Sequence, residues 1–104
     1  MNIKILCVGK IKEDFYQKAI GEYSKRLQKY ARLTITEVQD EKTPDKLSDH
    51  ECEIILDKEG DRLLKLISDN DHVIALAIEG RSFDSVSFAK YIDRLGIDGL
   101  SNIV

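Results

Sequence analysis

The most promising candidate site follows the most apolar segment of the sequence. Residues 73–78 are apolar without exception and lead directly into Glu79, Gly80 and Arg81. A run of this kind predicts a central strand covered on both faces, and ligands of open α/β sheets bind beyond the carboxyl ends of such strands. Gly80 would let a ligand approach the backbone closely, and the Glu79 carboxylate could accept hydrogen bonds from a ribose or an amine. An ordinary turn is the alternative for these residues.

A second candidate site follows the first predicted strand, where Gly9 precedes Lys10 and Lys12. Backbone N–H groups and two lysines at such a strand end could hold a phosphate. The segment has neither the GxGxxG nor the GxxxxGK[ST] spacing, so it is not a nucleotide-binding fingerprint. The alternative is that Gly9 only makes a tight turn between a strand and a helix.

The first predicted helix carries a basic stripe. Lys18, Lys25 and Lys29 fall within about 40° of one another at 100° per residue, and Arg26 flanks them. Residues 1–32 hold eight basic and three acidic side chains, although the whole chain has a formal net charge of −3. The stripe could bind a nucleic-acid backbone electrostatically, or it could be an ordinary solvated surface. Tyr23 and Tyr30 fall with the opposite, apolar face and are expected to pack in the core.

Several classes of chemistry find no support in the sequence. His50 and His72 have no serine, cysteine or metal-ligand partner at a familiar spacing, so we predict no metal site and no catalytic role for either. Cys7 and Cys52 lack the paired spacing of zinc or redox motifs and are expected to be reduced thiols in a cytoplasmic protein. No apolar run approaches the ~20 residues of a membrane span, and no signal peptide is recognisable.

The elements that would position these residues alternate regularly. Predicted strands at 3–8, 33–38, 73–78 and 101–104 are separated by predicted helices at 13–30, 48–67 and 82–95. Ser48 and Glu51 form a capping box at the start of the second helix. The order β-α-β-α-β-α-β predicts a single α/β domain, residues 1–104, with a mainly parallel sheet.

Five segments in this order resemble a known family of small bacterial enzymes. The chain is similar to the ribosomal RNA large subunit methyltransferase H family, which belongs to the SPOUT, or α/β-knot, class. The resemblance runs from residue 1 to residue 104, and the segments that carry it are residues 3–12 (IKILCVGKIK), 19–27 (AIGEYSKRL), 35–38 (ITEV), 58–62 (KEGDR) and 75–81 (ALAIEGR).

The resemblance implies a function, a cofactor and partners. The family transfers a methyl group from S-adenosylmethionine to N3 of a pseudouridine in large-subunit (23S) ribosomal RNA. It acts on ribosomes in the cytoplasm as a homodimer. By the same resemblance, Leu76, Glu79 and Gly80 match the cofactor-binding positions. The RNA-binding expectation rests instead on the basic residues described above, which are Lys10, Lys12, Lys18, Lys25, Arg26 and Lys29.

One difference from the family pattern limits what is carried over. The family's chain continues beyond the match with a glycine-rich loop, a helix and a terminal segment, which tie the knot and supply the catalytic groups. We therefore assign no catalytic residue, and we expect the 104-residue chain to be inactive alone and doubtful as a homodimer. The alternative function is a non-catalytic α/β module that binds RNA or ribosomes through its basic first helix.

Overall fold

The computed structural model describes all 104 residues, and its secondary structure is that of an α/β protein. Three helices accompany a three-stranded parallel sheet, so the predicted fold class is confirmed. The elements in chain order are β1 (Asn2–Val8), α1 (Asp14–Leu27), β2 (Arg32–Val38), α2 (Asp49–Leu64), α3 (Ser85–Ile97) and β3 (Asn102–Ile103).

The sheet has the order β2-β1-β3, with β1 in the middle. β1 and β2 pair over their whole length, from Asn2 opposite Arg32 to Val8 opposite Val38. Parallel neighbours need a crossover connection, and α1 supplies it between these two strands. Because the two strands end together, the loops that follow Val8 and Val38 meet at one edge of the sheet.

The prediction of a third strand at residues 73–78 is wrong. Only His72 forms a bridge, with Ile103, and Ile74 donates a hydrogen bond to the carbonyl of Val104 at 2.8 Å. Residues 75–78 form no ladder, and Leu76 and Ile78 are 92 % and 106 % exposed. Their apolar side chains gave the pattern of a covered strand, but the pairing of this segment with residues 102–104 stops at Ile74. A strand needs a partner as well as apolar residues.

The apolar side chains are buried far less than the sequence predicts. Only Leu95 and Ile103 are buried, and the radius of gyration is 15.9 Å, against about 13 Å for a compact domain of this length. Tyr23 and Tyr30 are 64 % and 81 % exposed, so the prediction that they pack in the core is wrong. α1 packs only against the edge strand β2, which leaves most of its apolar face uncovered.

Side-chain caps fix the starts of two helices. The Ser48 hydroxyl accepts a hydrogen bond from the Glu51 N–H at 3.2 Å, which confirms the predicted N-cap of α2. The Asp84 carboxylate accepts one from the Ser87 N–H at 2.6 Å and caps α3 in the same way. Each cap satisfies an N–H group that the helix itself leaves without a partner.

An ion pair holds the loop after β2 against α2. Arg62 donates to the Gln39 carbonyl at 2.7 Å and pairs with the Glu41 carboxylate at 2.6 Å. The Glu41 N–H in turn donates to the Glu59 carboxylate at 3.1 Å. Arg62 and Glu59 both belong to segment 58–62, one of the five segments that resemble the family. This segment has a structural role, because it fixes the loop after β2 at the edge of the sheet.

Candidate functional site

A cleft of about 560 Å³ lies between the extended segment 73–77 and the start of α3. Segment 73–77 forms one wall. The other wall consists of residues 83–85 together with Phe88 and Tyr91 of α3, and Gly80 and Arg81 lie in the connection between the walls. Most lining residues are apolar, and the volume falls in the range typical of small-molecule sites.

Three aromatic rings cluster on the α3 side of the cleft. The ring centroid of Phe83 lies 5.8 Å from that of Phe88 and 5.5 Å from that of Tyr91. The Tyr91 hydroxyl is 2.9 Å from Nε2 of His72, which joins this wall to the opposite one. In the sequence His72 is isolated, because its partner lies 19 positions away. Phe88 and Tyr91 are three positions apart, a spacing that places two side chains on the same face of a helix. This spacing was the sign of the aromatic cluster in the sequence.

The opposite wall offers free backbone groups beside apolar side chains. Among residues 75–78, the only hydrogen bond is the one that the Gly80 N–H donates to the Ala77 carbonyl at 3.0 Å. The N–H groups of these four residues therefore have no protein acceptor. An extended segment with unpaired N–H and C=O groups can pair with a further strand or with the polar edge of a ligand.

Two of the three predicted cofactor residues line this cleft. Leu76 and Gly80 do, whereas Glu79 lies exposed in the turn outside the lining. A Cβ atom on Gly80 would meet the Ala77 carbonyl oxygen at 3.0 Å, so the turn itself favours glycine here. This contact supports the alternative given by the sequence, in which Glu79, Gly80 and Arg81 form an ordinary turn. The assignment of Leu76, Glu79 and Gly80 to cofactor binding stays a prediction.

The cleft contains one fixed negative charge and one positive charge. Hydrogen bonds from the backbone and side chain of Ser87 lower the pKa of Asp84 from its ordinary value of 3.8, so the carboxylate is ionised at neutral pH. The Arg81 guanidinium lies 4.4 Å from the centroid of the Phe83 ring, a cation–π arrangement. Such a cleft suits a flat heterocycle that also carries a cationic or hydroxyl group.

The predicted basic stripe is on the surface of α1. Lys18, Lys25 and Lys29 are exposed and make no hydrogen bond or ion pair, so their charges are available to a partner. Arg26 differs, because it forms an exposed ion pair with Glu22 at 3.0 Å and lies 5.9 Å from the centre of the Tyr23 ring. RNA binding by these four residues stays a prediction.

Lys10 and Lys12 are exposed in the loop that follows β1. Gly9 has a φ of +79°, and its N–H donates to the Val38 carbonyl at 2.8 Å. This geometry supports the tight-turn interpretation of Gly9, since a positive φ favours glycine. It also leaves both lysines free, and their contact with a phosphate stays a prediction.

The two cysteines add little chemistry to the candidate sites. Cys7 and Cys52 are free, and Cys7 is partly buried with its sulfur 3.8 Å from the Thr36 carbonyl. No group of three histidine, cysteine or acidic side chains is arranged to hold a metal ion. None of the three helices combines the length and the apolar character that crossing a bilayer requires.

A comparison with protein families identifies the fold. A family model described as "Predicted SPOUT methyltransferase" matches residues 1–104, which is the whole sequence. The chain belongs to this family. Within it, the open cleft between segment 73–77 and α3 is the part of the structure best suited to a ligand.

Curated relatives agree with this family. The chain is 53 % identical over 103 residues to ribosomal RNA large subunit methyltransferase H of Clostridium kluyveri, and this match covers 99 % of the chain and 65 % of the relative. Proteins of the same name from Clostridium acetobutylicum and Enterococcus faecalis are 48 % and 50 % identical, with the same coverage. The chain therefore spans 65 % of the length of these relatives.

Proposed function

We propose that this chain takes part in methylating N3 of a pseudouridine in large-subunit (23S) ribosomal RNA, with S-adenosylmethionine as the methyl donor. The family would act on ribosomes in the cytoplasm as a homodimer, whereas the 104-residue chain is expected to be inactive alone. The observation that carries the proposal is the cleft beside Leu76, whose apolar wall has unpaired backbone groups. The names of the relatives support methylation of ribosomal RNA.

The residues of the cleft fit the proposed cofactor. S-adenosylmethionine combines a flat purine, a ribose with two hydroxyl groups and a positively charged sulfonium. Leu76 and Val73 offer apolar surface for the purine, and the free N–H groups of residues 75–78 can donate to its ring nitrogens. The Asp84 carboxylate supplies the one negative charge in the lining. Glu79, in the adjacent turn, is the candidate for the ribose hydroxyls.

The chain would contribute binding and orientation. When bound, S-adenosylmethionine supplies an electrophilic methyl group, and holding donor and acceptor in line accounts for much of the rate in such a displacement. Leu76 and the backbone beside it would fix the donor against one wall. Asp84 is already engaged as the cap of α3, so we assign it no part in removing the N3 proton. The exposed lysines of α1, with Lys10 and Lys12, would hold the RNA backbone.

The test is the modification itself. Deleting the gene and digesting 23S rRNA to nucleosides is expected to remove N3-methylpseudouridine from the mass spectrum, and the intact gene is expected to restore it. Leu76→Asp is expected to fail to restore it, because it places a charge on the apolar wall. Leu56→Asp is the matched control, since Leu56 is 65 % exposed on α2 away from the cleft. Full modification in the deletion strain would refute the proposal.

A second candidate function is RNA or ribosome binding without catalysis. It is favoured by the exposed, unpaired Lys18, Lys25 and Lys29. On this account the deletion leaves 23S rRNA modification intact, while ribosome binding by the protein weakens steeply with salt and drops when the three lysines are changed to glutamate. A flat salt response would remove this candidate.

A further inference from the structure

A second groove, of about 430 Å³, adjoins the cleft on the side of α3. Its polar lining consists of Arg81, Ser82, Ser87, Lys90 and Arg94. Its apolar lining is the ring of Phe83 and that of Tyr91, both of which also line the cleft, as does Arg81. The groove therefore continues directly from the candidate cofactor site. No carboxylate is among its lining residues.

The residues that line this groove come from one face of α3 and from the loop that precedes it. Ser87, Lys90, Tyr91 and Arg94 follow the spacing i, i+3, i+4, i+7, which places them on one side of α3. This side lies next to the one that buries Leu95, so the basic residues remain outside. The connection before α3 brings Arg81 to the same place, although it lies nine positions before Lys90 in the sequence.

The three positive charges of the groove are largely uncommitted. Lys90 makes no hydrogen bond and no ion pair. Arg81 stacks on Phe83, which leaves its N–H donors free at the edge of the guanidinium plane. Arg94 pairs only with Asp98, at 3.5 Å, with side chains 75 % and 54 % exposed. An exposed pair of this kind is weak, so a phosphate could displace Asp98.

We propose that this groove binds the phosphate backbone of the RNA strand whose base enters the cleft. The inference rests on the proposed function and names a contact surface separate from α1. Guanidinium, ammonium and hydroxyl donors are the groups that proteins use for phosphate oxygens, and arginine presents a planar fork that matches them. Three cations around one groove exceed what a single phosphate needs, which favours a strand with successive phosphates.

The aromatic lining favours a nucleic acid over a free anion. The Phe83 and Tyr91 rings border both the groove and the cleft, and a base can stack on such a surface. A strand that follows the groove would place its phosphates against Lys90 and Arg94. One of its bases would then lie beside Phe83, at the entrance to the cofactor cleft.

The test measures the salt dependence of RNA binding by fluorescence anisotropy, with a short labelled single-stranded oligouridylate as the probe. The double substitution Lys90→Gln/Arg94→Gln changes only residues that line the groove and not the cleft. Each lost phosphate contact lowers the slope of log K against log salt by about 0.7 for a single strand, so the double variant is expected to lose about 1.4. Affinity at low salt is expected to fall as well.

The control removes two positive charges elsewhere. Lys42→Gln/Lys58→Gln alters exposed lysines of the loop after β2 and of α2. It is expected to keep the wild-type slope. Lys90→Gln alone is a second variant, and it breaks no contact within the protein because the Lys90 side chain has no partner. Lys90→Arg keeps the positive charge and is expected to bind the oligonucleotide like wild type. Circular dichroism checks that each variant is folded.

The outcomes separate this proposal from the proposed function. A wild-type slope in the double variant, or equal losses in the double variant and the control, would overturn the groove proposal. So would a wild-type chain that does not bind the oligonucleotide. Loss of N3-methylpseudouridine on gene deletion would still stand in each case, because that measurement does not depend on the groove residues. Conversely, unchanged modification on deletion with a reduced slope would overturn the proposed function alone.

Discussion

His72 Nε2 and the Tyr91 hydroxyl lie 2.9 Å apart and form the hydrogen bond that joins the two walls of the cleft. His72 begins the extended segment that bridges to β3, whereas Tyr91 lies in α3 within the aromatic cluster. α3 packs against neither β1 nor β2, so this hydrogen bond is one of the contacts that hold α3 beside the segment that follows His72. We expect the width of the candidate cofactor cleft to depend on this pair.

Tyr91→Phe is expected to loosen the cleft. It removes the hydroxyl and keeps the ring, so the lost hydrogen bond is expected to lower the free energy of unfolding by about 1 kcal/mol. Urea unfolding measures this loss, and calorimetry is expected to show weaker binding of S-adenosylmethionine. Tyr16→Phe is the matched control, since Tyr16 is 54 % exposed and its hydroxyl makes no hydrogen bond. Equal stability of the two variants would contradict the role given to His72.

The helices and strands were predicted from the sequence more accurately than the packing and strand pairing between them. β1, α1, β2 and the N-cap at Ser48 follow from local periodicity and capping chemistry, and these depend only on neighbours in the chain. Segment 73–78 depends on a partner strand, which local pattern cannot show. For the same reason Tyr23, on a well-formed amphipathic helix, is exposed.

The candidate site was predicted only in part. Gly80 was singled out because a ligand site is expected at a strand end, and Leu76 because it matches a cofactor-binding position of the family. Both line the cleft, and their role in binding a cofactor stays a prediction. The pairing of His72 with Tyr91 was missed, since it depends on how α3 docks. The groove cations were also missed, although the spacing of Lys90 and Arg94 was visible in the sequence.

The exposed apolar segment beside the cleft predicts self-association of the chain. Leu76 and Ile78 are almost fully exposed, and contiguous apolar surface of this kind promotes association. Sedimentation velocity is expected to show species larger than a monomer. Leu76→Lys/Ile78→Lys is expected to reduce them, whereas Leu56→Lys/Leu64→Lys, at residues 65 % and 64 % exposed on α2, is expected to have less effect. A monodisperse wild-type monomer with a sharp thermal transition would contradict this prediction.

Ser48 is expected to stabilise α2 through its cap. Ser48→Ala removes the acceptor of the Glu51 N–H and is expected to cost about 1 kcal/mol, measured by urea unfolding. Ser48→Asn keeps a side-chain acceptor and is expected to stay within a few tenths of a kcal/mol of wild type. If alanine and asparagine gave the same stability, the cap would have no energetic role.

Acid is expected to destabilise the fold through Asp71 and Asp84. Hydrogen bonds from Ser68 lower the pKa of Asp71, and those from Ser87 lower the pKa of Asp84, each from an ordinary value of 3.8. A lowered folded-state pKa contributes stability above the unfolded-state value, and that contribution is lost as the pH falls through the folded-state value.

The corresponding measurement is the melting temperature between about pH 6 and pH 3. Asp84→Asn keeps an acceptor for the cap but cannot ionise, so its melting temperature is expected to depend less on pH than that of wild type. Asp93 is exposed on α3, and its side chain makes no hydrogen bond. Asp93→Asn is therefore expected to follow the wild-type curve. Identical curves for all three proteins would show that the Asp84 cap does not contribute to acid sensitivity.

Cys7 is expected to react slowly with alkylating reagents. Partial burial raises the pKa of its thiol above the ordinary value of 9.0, and the neighbouring Glu37 carboxylate raises it further. Because the thiolate is the nucleophile, the alkylation rate of Cys7 in a Cys52→Ser background is expected to reach its midpoint above pH 9.0. Adding Glu37→Gln removes the negative charge that opposes ionisation, so the midpoint is expected to move down while burial keeps it above the ordinary value. A midpoint that Glu37→Gln leaves unchanged would assign the whole shift to burial, and a midpoint at the ordinary value would show that β1 is open to solvent at Cys7.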